Sequence, residues 1–137
     1  MHYKQIESLN DWQVDQLVSL YEKEFWCHTR EKSDVLKMLD NTDIIIGIET
    51  VKEKQLVGFC RLLSDYVYKA TVYDLIVAEG HRGQNLARDL MNAIFGHPNL
   101  IDVQTFDLHC LPEMFPFYEK WGFTSNLGKV RCMRKER

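Results

Sequence analysis

The chain has 137 residues, with 45% apolar and 27% charged content and a formal net charge of −3. That length suits one domain over 1–137 with a real core, and the mild acidity excludes a global basic field that would draw the protein to nucleic acid or a membrane surface. No apolar run approaches the roughly 20 residues of a membrane span, the N-terminus lacks a signal-peptide core, and Cys27, Cys60, Cys110 and Cys132 form no CxxC pair, so a cytoplasmic location, reduced thiols and no metal site are expected.

A short first strand is expected over 3–9. Asn10 and Asp11 then offer an N-cap, and Val14, Leu17, Val18, Tyr21 and Phe25 recur at helical spacing. The segment 25–30 breaks that period. Ser33 or Asp34 caps a second short helix with Val35, Leu36 and Leu39 inward. A strand rich in isoleucine follows over 43–50, with a hairpin partner over 55–63. A central strand over 68–77, a helix over 84–95, a strand over 102–110 and a helix from Pro112 to about Trp121 complete the regular part. The segment 124–133 has room for one or two last strands. The order β-α-α-β-β-β-α-β-α-β predicts an α/β (α+β) fold: a mixed, mostly antiparallel central sheet with helices on both faces.

The stretch 72–95 organises the chain. Residues 72–77 are apolar except for Asp74. The turn over 78–85 holds Gly80 and Gly83, and Leu86, Leu90 and Ile94 then repeat on one helical face. A strand that feeds a glycine-bearing turn at a helix start presents free backbone N–H groups and a positive dipole end, a ready site for phosphate.

The run His81-Arg82-Gly83-Gln84-Asn85-Leu86-Ala87 resembles the acetyl-CoA signature of the GCN5-related N-acetyltransferases (GNAT), Arg/Gln-x-x-Gly-x-Gly/Ala, with Arg82 at the first position and Ala87 at the last. Asn85 stands where the family usually has Gly; Asn is the next best residue for a left-handed backbone. Downstream, FYEKWGF over 117–123 resembles the family's FYEKxGF segment. The resemblance covers the chain from about Tyr3 onward. It implies an acetyl-CoA-dependent N-acetyltransferase that moves an acetyl group to a primary amine by direct attack on the thioester.

Such a reaction assigns residues. The backbone around Arg82, Gly83, Gln84, Asn85, Leu86 and Ala87 would wrap the pyrophosphate, with Arg82 or Arg88 adding charge. The exposed backbone of Leu75, Ile76 and Val77 would pair with the amide-rich arm like an extra strand. Asp74 is the best candidate for the base, at a position where related enzymes often carry an acid; it reads equally as a buried acid bonded to a neighbouring backbone group or cation. Tyr118 falls at the position of the tyrosine that many relatives place near the sulfur. Leu111 sits where an Asn usually contacts the cofactor arm. Related folds build the acceptor pocket from the loop between the first two helices and from strand ends, here Phe25, Trp26, Thr29 and Arg30 with Asp65 and Tyr66 opposite, and His109 at a strand exit. Phe25 and Trp26 read equally as side chains closing the core. His109 and Cys110 are neighbours whose side chains would oppose each other on a strand, which argues against a Cys–His nucleophile. The expected partner is a small-molecule amine, with a protein lysine or a homodimer left open. Two rivals remain: a CoA-binding sensor of the same fold without turnover, and an unrelated phosphate-binding α/β domain.

Overall fold

The structure, a computed structural model, describes residues 2–137. Strand β1 (Tyr3–Ile6) leads into helix α1 (Asp11–Glu22). Asn10 starts α1 with a capping box: its Oδ1 accepts the Gln13 N–H at 2.8 Å, and its own N–H donates to Gln13 Oε1 at 3.1 Å. The Gln13 amide then donates to Glu49 Oε2 and to the Lys54 carbonyl, which pins the helix start to the next hairpin. Helix α2 (Lys32–Asp40) begins after Glu31 without a side-chain cap, so the expected caps Ser33 and Asp34 lie inside its first turn. Strands β2 (Ile44–Thr50), β3 (Leu56–Ser64) and β4 (Lys69–Val77) follow, then α3 (Leu86–Phe95), β5 (Thr105–Leu108) and a short α4 (Phe115–Glu119).

The five strands form one sheet in the order β1-β2-β3-β4-β5. Every pair is antiparallel except β4 with β5. Helices cover both faces. On one, Ile46, Ile48, Val72, Leu90, Met91 and Ile94 pack with Tyr118. On the other, Val14, Leu17, Tyr21 and Val35 pack on Leu56, Phe59 and Ile76. The sheet is therefore the middle layer of three, as the expected mixed architecture requires.

Two local features set the surroundings of β4. The first is a bulge in the strand itself. Phe59 pairs with Ile76 and Arg61 with Tyr73, so β3 advances two residues while β4 advances three. The extra residue is accommodated at Asp74, whose φ of 56° is left-handed. Ala70 and Val72 face the α3 side below the bulge, whereas Leu75 and Val77 face it above. Tyr73 and Asp74 thus turn consecutive side chains to the α1/α2 face, where each meets Arg61.

The second is the short reach of β5. Its register with β4 runs only from Lys69–Thr105 to Val72–Leu108. Beyond Val72, β4 continues for five residues without a β5 partner, and a gap opens along that edge.

The last strands expected over 124–133 do not form. Leu127, Val130 and Met133 recur every third residue, a spacing that cannot keep one strand face apolar, and all three are exposed. Local turns hold this segment instead: the Asn126 N–H donates to Thr124 Oγ1 and the Gly128 N–H to Asn126 Oδ1.

Candidate functional site

The bend between β4 and α3 is open. A single 3-10 turn (Glu79–His81) leaves the strand, and the Tyr3 hydroxyl meets His81 Nδ1 at 3.0 Å, tying the bend to β1. Gly83 follows at φ 80° and Asn85 at φ 64°, both left-handed, and Asn85 is the N-cap of α3. Asn85 occupies the conformation expected of a glycine there. Its side chain does not cap the helix, and a methyl group built on Gly80 or Gly83 would meet nothing within 4 Å. Residues 82–85 are exposed. Among the described residues nothing accepts from the backbone N–H groups of Gly83 through Arg88. They form a concave set of donors at the positive end of a ten-residue helix, a geometry that suits a pyrophosphate. Arg82 Nε lies 3.4 Å from the Val77 carbonyl, and Arg88 reaches only Asp89, at 3.8 Å, so both guanidiniums stay at the rim.

The gap beside β4 lies next to this bend. The Ala78 N–H donates to the Val57 carbonyl on β3. Amide groups alternate along a strand, so Ile76 also turns its amide groups to β3, while Leu75 and Val77 turn theirs into the gap. Two of the three expected arm contacts thus turn amide groups into the gap, where the Val77 carbonyl accepts from Arg82 Nε; Ile76 instead buries its side chain against α1.

Asp74 sits at the centre of a charged cluster on the opposite face of β4. Its Oδ2 accepts from Arg30 Nη1 at 2.7 Å, Arg61 Nε at 2.7 Å and the Tyr21 hydroxyl at 2.9 Å. Its side chain is 4% exposed. Burial alone would raise its carboxyl pKa, but the two guanidiniums outweigh that and hold it below its ordinary value. The sequence reading of Asp74 as an acid bonded to a neighbouring cation describes this arrangement, which makes the carboxylate a weaker base than an isolated one. Burial first, then Asp74, pushes the Tyr21 hydroxyl pKa far up, so the phenol stays neutral. Arg30 lies over the rings of Tyr21 and Trp26, at 4.6 and 5.8 Å from their centroids. Sequence reasoning missed Tyr21 and Arg61. Arg61 carried a signal equal to that of Asp74, one charged residue inside an apolar strand.

The remaining candidates scatter. Phe25, Trp26 and Thr29 lie exposed on the segment after α1, so Phe25 (68% exposed) and Trp26 (43%) do not close the core. Asp65 folds the β3–β4 hairpin: its Oδ1 accepts from the N–H groups of Val67, Tyr68 and Lys69, and these bonds lower its pKa. His109 lies beyond the end of β5, so strand alternation does not govern it and Cys110; its Nε2 is 3.7 Å from Cys132 Sγ. Tyr118 is buried, and burial pushes its pKa up to about 12. Among the described residues its hydroxyl has no partner, and its ring helps line a cavity of about 550 Å3 with Leu108, Cys110 and Phe123. Leu111 is exposed. Among the described residues no group of His, Cys, Asp and Glu is placed to hold a metal ion.

Comparison with known proteins gives this geometry a setting. A crystal structure from Xanthomonas campestris pv. campestris, described as an acetyltransferase belonging to the GNAT family, superposes with a TM-score of 0.83 at 25% identity, covering 100% of this chain and 94% of that one. An acetyltransferase structure from Deinococcus radiodurans R1 follows at TM-score 0.76 and 26% identity, over 98% and 88%. The uncharacterized N-acetyltransferase ycf52 of Pyropia yezoensis is 28% identical over 123 residues, which is 85% of this chain and 71% of the relative. Histone acetyltransferase TAP1 of Glycine max is 26% identical over 132 residues, 90% of this chain and 57% of that protein. The family model of the acetyltransferase (GNAT) domain matches residues 15–134, from inside α1 to the final segment, and so takes in the open bend, the bulged strand and the charged cluster together. This chain belongs to the GNAT acetyltransferase family.

Proposed function

We propose that the protein transfers the acetyl group of acetyl-CoA to a primary amine, by direct attack of the amine on the thioester. The observation that carries this reading is the open bend over 82–88, with its unpartnered N–H groups, continuous with a strand edge whose Leu75 and Val77 amides face a gap. The backbone of Gly83, Gln84, Asn85, Leu86 and Ala87 holds the pyrophosphate, Arg82 and Arg88 add charge at the rim, and Leu75 and Val77 pair with the arm. Bound there, acetyl-CoA supplies an activated acyl group.

The chain's own residues deal with protons. An alkyl ammonium of pKa about 10.4 must lose a proton before it attacks, at a cost of roughly 4.6 kcal/mol at pH 7. Asp74 is too weak a base to take that proton by itself. With Oδ2 held by three donors, Oδ1 is left to accept an N–H of the amine and aim its lone pair, and the proton passes to water. Tyr118 is the weak acid for the departing thiolate. Its neutral phenol is retained to about pH 12 and its hydroxyl is not engaged elsewhere among the described residues.

The acceptor in this reading is a small-molecule amine, the donor is acetyl-CoA and no metal takes part. The experiment is release of CoA thiol from acetyl-CoA across an amine panel that includes a lysine peptide, alongside calorimetric titration of CoA. Leu111 favours one rival, a CoA-binding sensor, because an exposed apolar side chain stands where a polar contact to the arm is usual. Heat on CoA binding with no thiol release on any amine would select the sensor. Absence of binding would remove both.

A further inference from the structure

The cluster around Asp74 holds one guanidinium more than its carboxylates match. Arg30 and Arg61 both reach the same oxygen of Asp74, whose single charge offsets only one of them. Tyr21 is neutral, and Met38 offers a thioether to Arg30 Nη1 at 3.7 Å without charge. The carboxylate of Glu24, on the segment after α1, lies 3.9 Å from Arg82. A positive charge in a site where the side chains of Arg61 and Arg30 are only 12% and 30% exposed is unfavourable unless something offsets it. One arginine would have sufficed to satisfy Asp74, because Tyr21 already donates to it. Nε and Nη2 of Arg30, and both Nη atoms of Arg61, have no hydrogen-bond partner among the described residues. The Arg30 guanidinium is the more exposed of the two, and Tyr21 and half-open Trp26 fix its plane. The strand that carries Asp74 continues directly into Leu75, whose amide faces the gap.

We infer that the acceptor amine carries an oxyanion, a carboxylate or a phosphate, which the free guanidinium fork of Arg30 receives beside Trp26 while Asp74 holds the amine. The inference rests on the acetyl-transfer reading for its site but not for its test. A guanidinium fork pairs with two oxygens of a planar carboxylate or of a phosphate, and Trp26 shields the pair from water. Arg30 is thereby a specificity-determining residue, and Arg61 keeps Asp74 ionised beneath it.

The test compares matched acceptors: free amino acids against their amides for the carboxylate arm, and glucosamine 6-phosphate against glucosamine for the phosphate arm. With acetyl-CoA, the anionic member of at least one arm should show a kcat/KM higher by roughly ten- to hundredfold, a charge-assisted hydrogen bond's worth. Arg30→Gln should erase that preference through KM. Should that variant unfold, the wild-type comparison decides alone. Melting curves of the CoA complex give a readout without turnover: the anionic acceptors should raise the melting temperature and their neutral counterparts should not. Equal or better rates for the neutral members would overturn the inference and leave acetyl transfer standing. If no acceptor releases thiol, the transfer reading fails, and the melting shifts settle the anion site: a shift confined to anionic members upholds it, and none or an equal one refutes it.

Discussion

Replacing Asp74 by Asn tests the cluster in isolation. The amide keeps the shape and one acceptor oxygen but removes the charge, leaving two guanidiniums facing a neutral group in a site where the residue is 4% exposed. Removing one partner of a buried pair costs about 3–5 kcal/mol; the openness of Arg30 and the retained oxygen reduce that to about 2–4 kcal/mol. With an unfolding entropy of about 2.1 cal/mol/K per residue, a 137-residue chain has about 0.29 kcal/mol/K, so the melting temperature should fall by about 7–14 °C. The pH dependence has a definite sign. The folded pKa of Asp74 is depressed, so its contribution is complete above the unfolded value of 3.8 and is lost as pH falls through the lower folded value. Urea titrations of both proteins at pH 7 and at steps below pH 4 should show the stability gap narrowing as acid is added. A gap under about 1 kcal/mol at pH 7, or one that stays constant down to pH 3, would refute the account of Asp74 as an anion stabilised by Arg30 and Arg61.

Other perturbations probe the same geometry. Tyr118→Phe removes a hydroxyl with no partner among the described residues, so stability should change by less than about 1 kcal/mol, while kcat drops at least tenfold with CoA affinity kept; unchanged turnover in steady-state assays would withdraw its role. Between pH 7 and 9, the wild-type rate should show no loss assignable to ionisation of Tyr118, because burial holds that phenol up to about 12. Gly83→Val forces a branched side chain to φ 80° and should cost about 1–2 kcal/mol as well as weakening CoA in calorimetry; equal affinity would argue that this bend does not hold the diphosphate. Gln13→Ala removes two of the three side-chain anchors of α1 on the hairpin, those to Glu49 and the Lys54 carbonyl, leaving Gln16 Oε1 on the Leu56 N–H, and should cost about 2–3 kcal/mol by thermal melting, with no specific effect on CoA affinity.

Much of this architecture was legible in the chain because burial and period agree. Helices α1 and α3 show apolar residues at three- and four-residue steps, and β2 and β3 are bounded by turn residues. The bend was legible because its requirement is local: two left-handed positions fall on Gly83 and Asn85, residues that tolerate them. What escaped is non-local. Arg61 and Asp74 are 13 residues apart in sequence, and nothing in periodicity says that a bulge turns them to the same side. Tyr21 reads as one more core residue of α1, and only the folded arrangement places its hydroxyl on Asp74. Asp65 carries two readings in the sequence, pocket acid and solvated turn acid, because a carboxylate near a strand end suits either; the three backbone N–H groups it accepts from belong to the turn. The final segment misled for another reason: room for a strand is not a two-residue alternation.

The extra residue in β4 makes this strand sensitive to counting rather than to chemistry. Conservative swaps at Val72, Leu75 or Val77 would leave the inside–outside assignment of their neighbours intact. Losing a single residue at the bulge would put the strand back into simple alternation, so that two consecutive side chains could no longer face Arg61 together, while the register above the bulge, with Ile76 on Phe59, would be kept. Natural variation in this stretch should therefore appear as exchanges of side chains at constant length.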